Sequence, residues 1–129
     1  MIERGMQATV EETVTEDMTA ERLGSGDVPV LGTPAVLALV EGAAVAAVSD
    51  DLKTGTTTVG ASVELDHMAP TPLGARITAT AGVRHVEGRR VTFAFEVTDP
   101  AGPVARGTHV RVVVDRRRFL ETAAERAPR

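Results

Sequence analysis

Residues Thr33–Asp51 read TPAVLALVEGAAVAAVSDD, and residues 56–66, a few positions on, read TTTVGASVELD. The first stretch is apolar at nearly every position, and Glu41 is the only charged side chain between Pro34 and Val48. Thr33 suits a helix N-cap, Pro34 suits the first helical position, and Asp50 and Asp51 close the pattern. Gly42 weakens this helix without ending it. The second stretch is rich in Thr and Val with a period of two, and Pro70 and Pro72 stop it. A long helix therefore hands over to strands.

The same period continues downstream. Residues 75–86 and 90–98 predict two strands joined by a turn at Glu87-Gly88, and DPAGP at 99–103 predicts another turn. Residues 104–114 predict the last strand, after which Asp115 caps a short helix with Phe119, Leu120 and Ala123 on one face. Upstream, residues 9–15 carry a weak strand signal, and residues 23–32, with three Gly and one Pro, read as a loop. One helix followed by consecutive strands indicates an α+β fold with an antiparallel sheet. A helix apolar on almost every side has to be wrapped, and a curved sheet around one central helix does so: the hotdog architecture. The open sheet edge of such a domain predicts a two-fold homodimer.

Composition bounds the function. The 129 residues make one domain, 1–129. Net charge is -4 with no Trp or Tyr, which argues against a nucleic-acid partner. The absence of Cys excludes disulfides, thiolate metal sites and a Cys nucleophile. No metal and no separate cofactor are expected. Residues 34–48 would make a helix of roughly 22 Å with an internal Glu, too short and too polar to predict a membrane span. The amino terminus lacks a signal-like apolar region, so a cytoplasmic location is the default expectation.

Glu41 is the most informative residue. A buried carboxylate without a partner is strongly unfavourable, so this one must be hydrogen-bonded, protonated or open to a cleft. It is either a group facing a solvated groove or the base or nucleophile of a hydrolytic site. His67, in ELDHMAPTP, ends a strand before a Pro-rich turn, where pockets are commonly edged. Read alone it is a loop residue, and Thr33 alone is a cap. His109, in RGTHVRVVV, is a second candidate, although a strand-borne His is ordinarily structural; His85 reads as surface.

The segments TPAVLALVEGAA, TVGASVELDHMAPTPLGARITATAGVRHVEGRR and GTHVRVVV together resemble the fluoroacetyl-CoA thioesterase family of hotdog enzymes, over roughly residues 28–114. In that family a Thr at the helix start, a Glu eight residues later and a His twenty-six beyond it form the catalytic set. Thr33, Glu41 and His67 keep both separations. The resemblance also implies a Gly beside the substrate at Gly60 and a substrate-binding Arg at Arg111, for which the plainer reading is a partner for an acid. It implies hydrolysis of a small acyl-CoA thioester. One region departs: the family's fluoroacetyl-specific enzyme sets aromatic side chains over the acyl group, and residues 23–31 here contain none. The implied activity carries over; the fluoroacetyl selectivity does not.

In that chemistry Glu41 either attacks the carbonyl, giving an anhydride, or activates water, and His67 serves as general acid/base. Thr33 either polarises the thioester or is itself the nucleophile. Eight positions on a straight helix separate Thr33 from Glu41 by about 12 Å, so either each site takes residues from two subunits or Thr33 lies on an irregular first turn. The basic residues Arg89, Arg90, Arg116, Arg117 and Arg118 are candidates for the coenzyme phosphates, and Ala43, Ala44 and Val45 hint at acyl room near Glu41. Two other functions compete: a non-catalytic acyl-CoA sensor, which needs no base, and a hydratase, whose acid/His spacing is absent.

Overall fold

The structure is a computed structural model that describes residues 1–128; Arg129, the last residue of the domain read from sequence, lies outside the described residues. Five strands form one antiparallel sheet: β1 (Gln7–Thr13), β2 (Thr56–His67), β3 (Arg76–Glu87), β4 (Arg90–Asp99) and β5 (Gly102–Asp115). Their spatial order is β1-β3-β4-β5-β2. The long helix α2 (Thr33–Val48) packs chiefly on β1 and β3. A short α1 (Ala20–Leu23) precedes it, and α3 (Arg116–Glu125) follows β5. This is the α+β hotdog fold. The predicted strands differ from the observed ones by one or two residues at most of their ends.

Alternation explains the core. Ile77, Ala79, Ala81 and Val83 of β3 and Val91, Phe93, Phe95 and Val97 of β4 are buried at every second position. They meet Val36, Val40, Ala43, Ala44 and Val48 of α2, spaced at helical intervals. Each buried Val there contributes about 1.5–3 kcal/mol. The segment Thr33–Asp51, with a mean hydropathy of 1.4, is apolar enough to cross a membrane by length and composition; here it lies against the sheet.

Three details differ from the sequence reading. Gly32, not Thr33, is the N-cap, with φ −83° and ψ 150°, and Thr33 is already helical. The reason is space: a Cβ at Gly32 would sit 2.9 Å from backbone atoms of Ala20, so α1 packs where only Gly fits. That α1 was missed, because four residues between the Thr19 cap and a left-handed Gly24 are too few to show a period. The helix is also not wrapped on all sides within one chain. Ala38, Gly42, Val45 and Ala46 remain exposed, because the sheet covers one face only.

Candidate active site

The inner face of the sheet changes character across its width. On β3 and β4 it is apolar. On β5 and β2 its buried polar groups are His109, Arg111 and Thr58. Register explains their meeting: Arg111 pairs with Gly60, His109 with Val63, and Thr58 with Val113. A shift of register between Gly60 and Ser62 lets β2 bend there.

Arg111 is the hub. Its Nε donates to Thr58 Oγ1 at 2.9 Å and its Nη2 to the Thr58 carbonyl at 3.1 Å. Its Nη1 donates to Glu41 Oε2 at 2.9 Å and to His109 Nε2 at 3.1 Å. The Arg111 side chain is 7% exposed and that of Glu41 40%. The cation is therefore held from behind while the carboxylate stays partly exposed. Glu41 meets the first of the conditions that its place on the helix allows: it is hydrogen-bonded.

Gly60 makes this possible. A Cβ there would lie 2.5 Å from Glu41 Oε2, so the carboxylate rests against bare backbone. The resemblance sets the substrate beside Gly60; the group in contact with it in the structure is Glu41. Arg111 is the partner of an acid, as its plainer reading has it.

Thr33 and His67 form a second cluster. Thr33 Oγ1 and His67 Nδ1 are 2.8 Å apart, and His67 Nε2 is buried with no hydrogen-bond partner. A hydroxyl freed from capping is thus used on an imidazole. Beside it an open hollow of about 190 Å³ is lined by Val30, Leu31, His67, Met68, Ala69 and Pro70.

Within one chain the two clusters stay apart. α2 runs unbroken from Thr33 through Glu41, so the two are about 12 Å apart along its axis. Gly60 and His67 are seven residues apart on β2, roughly 23 Å of strand. The imidazole near Glu41 is that of His109, whose Nε2 lies 3.9 Å from Oε2. From the sequence alone His109 ranks below His67. The alternation of β5, which puts residues 109 and 111 on one face, was the available signal. Burial pushes the His109 imidazole below its ordinary value near 6.5, and the Arg111 charge adds to this; the bond to the Ser62 carbonyl and the Glu41 charge oppose it.

The other candidates fall outside these clusters. His85, Arg89, Arg90 and Arg116 to Arg118 are exposed, and among the described residues none of them makes an ion pair. Ala43 and Ala44 belong to the core, and Val45 is exposed. Among the described residues no group of three His, Cys, Asp or Glu could hold a metal ion.

A curved sheet, one central helix and a carboxylate presented from that helix define a hotdog domain of the thioesterase kind. Residues 14–117 match the model of the fluoroacetyl-CoA-specific thioesterase family. The chain belongs to that family. It is 32% identical over 99 residues to the fluoroacetyl-CoA thioesterase of Streptantibioticus cattleyicolor, covering 77% of this chain and 71% of that one. A solved structure of the fluoroacetyl-CoA thioesterase superposes with a TM-score of 0.93 at 28% identity, over 99% of each chain. A hot-dog-like protein from Thermanaerovibrio acidaminovorans superposes with a TM-score of 0.88 at 30% identity, over 98% of this chain and 94% of that one.

Proposed function

We propose that this chain hydrolyses a small acyl-CoA thioester to the free acid and coenzyme A, with Glu41 as its base or nucleophile. The observation that carries the reading is the Glu41 carboxylate, anchored through Oε2 by a buried Arg111 and laid over Gly60. With Oε2 anchored, Oε1 is the oxygen directed to chemistry. As a base it takes a proton from water while the water oxygen bonds to the thioester carbon; as a nucleophile it bonds to that carbon itself. The C–S bond then breaks, and the leaving thiolate takes a proton from His67, which Thr33 orients through Nδ1. On the nucleophile route, once the thiolate has left, water cleaves the resulting anhydride, giving the free acid and restoring the Glu41 carboxylate. Membership of the family supports a coenzyme A thioester as substrate. Fluoroacetyl selectivity is not part of the proposal, because residues 23–31 lack aromatic side chains.

The working unit is a homodimer with composite sites. β2 is an outer strand, residues 60–64 along it are exposed, and the uncovered apolar face of α2 needs a partner surface. The other outer strand, β1, carries Glu11 and Glu12, which disfavour pairing. An antiparallel β2–β2 pairing centred between Val63 and Glu64 sets Gly60 of one copy opposite His67 of the other. Glu41 then meets a Thr33–His67 pair from the second copy.

Thiol release from a panel of short acyl-CoAs tests the activity: turnover is expected, and it collapses in Glu41→Ala. Binding without release supports a sensor instead. Mixing inactive Glu41→Ala and His67→Ala chains tests the composite site, since one intact site forms per mixed dimer. Dimers that exchange subunits yet regain no activity would rule the composite site out.

A further inference from the structure

His109 is buried on the inner face of β5, stacked on Phe93 of the neighbouring strand with ring centroids 6.2 Å apart. Its Nδ1 lies 2.8 Å from the Ser62 carbonyl oxygen, which can only accept, so Nδ1 carries the proton. Its Nε2 lies 3.1 Å from Arg111 Nη1, which can only donate, so Nε2 offers its lone pair. The two neighbours leave one form of the ring, the neutral Nδ1–H tautomer. Both hydrogens of Arg111 Nη1 are then used, one on His109 and one on Glu41.

We propose that His109 is a positioning residue of the thioesterase site: its Nε2 lone pair fixes the Arg111 guanidinium, which in turn fixes the Glu41 carboxylate over Gly60. The inference rests on the reading of Glu41 as the catalytic acid-base group. Thr58 holds the Nε and Nη2 side of the guanidinium, and among the described residues His109 is the only group besides Glu41 that holds Nη1. Without the imidazole acceptor, Nη1 follows the flexible, partly exposed Glu41 side chain instead of directing it.

The same geometry makes the hold sensitive to acid. The charged or titratable groups facing the ring are Arg111 on β5 and Glu41 on α2; β2 presents the neutral oxygens of Ser62 and Thr58, and β4 presents Phe93. A proton added at Nε2 removes the lone pair and sets one cation against another at 3.1 Å. The carboxylate oxygen Glu41 Oε2, 3.9 Å from Nε2, can accept from the new N–H. Acid therefore moves the carboxylate from Arg111 towards His109. Burial, which resists that proton, keeps the ring neutral around pH 7.

Two measurements test this together. Nitrogen-15 NMR of the histidine rings in the native dimer is expected to show His109 with Nδ1 protonated and Nε2 bare at pH 7. A ring protonated at Nε2 at that pH overturns the proposal. In kinetics, His109→Leu, which removes the acceptor, is expected to lower kcat on the order of a hundredfold, the scale of a small misplacement of a reacting group, with a much smaller change in KM. His109→Gln, which restores an acceptor that does not titrate, is expected to recover most of that loss. Equal losses in the two variants, or full activity in the Leu variant, overturn it. Should the Leu variant fail to fold, the native ring spectrum and the Gln variant still decide. A native protein that releases no thiol defeats the hydrolase reading alone. The tautomer, and faster rotation of the Arg111 guanidinium when the acceptor is lost, then decide the hold of His109 separately.

Discussion

The two clusters of the site are built on opposite plans. Glu41 stands on a scaffold completed within one chain: a buried Arg111 with four hydrogen bonds, a fixed imidazole and a bare glycine. Thr33 and His67 share a single hydrogen bond at the start of a helix and the end of an edge strand, and one ring nitrogen is left unpartnered. The first is anchored by groups already removed from water. The second is partly exposed, and in the proposed dimer the other copy completes it. A carboxylate that must hold one oxygen in place needs preorganisation, whereas a proton donor to a leaving thiolate needs a free ring nitrogen.

Substitutions can break this contrast or sharpen it. The largest effect is expected from Glu41→Gln, which keeps an oxygen for Arg111 but cannot take a proton or attack. Thiol release should fall about 10²–10⁴-fold while stability changes little. A variant that keeps its turnover breaks the contrast, because the scaffold would then hold nothing of chemical use. Arg111→Ala comes next. It leaves Thr58 and His109 without their buried donor and should cost about 2–3 kcal/mol in denaturant unfolding, together with most of the activity. Unchanged stability would show that the cluster is not the preorganised one.

Thr33→Val should reduce kcat by about tenfold, the equivalent of one hydrogen bond of ~1.4 kcal/mol, with almost no loss of stability because the residue is exposed. A large loss of stability there would contradict the contrast from the other side. The smallest effect concerns acid. The folded His109 ring binds its proton less readily than the unfolded one, so below about pH 6.5 the unfolded chain takes up the proton first and stability declines. Unfolding midpoints of native protein and His109→Gln at pH 7.5 and 5.5 should show the shallower decline in the variant. Equal declines would place the titrating group elsewhere.

Much of this was legible in the sequence, and the limits have physical reasons. The change of period after residue 51 marked helix and strands, because solvent on one side of a sheet imprints alternation on the chain. Glu41 stood out because a lone charge in an apolar helix always requires an explanation. His109 did not, because a histidine on a strand looks the same whether it packs quietly or holds an arginine. Thr33 was read as a cap, since the crowding of Gly32 by Ala20 is a contact between distant parts of the chain's path that no local pattern records.

By itself, then, the sequence determined the long helix, the five strands and the terminal helix, their order and the acid that the long helix carries, because propensity and periodicity act over a few neighbouring residues. Only the tertiary structure decided which imidazole stands beside that acid and which groups hold it there. Those depend on strand register and burial, which bring residue 41 to residues 60, 109 and 111 and leave it far from residue 67 in the same chain.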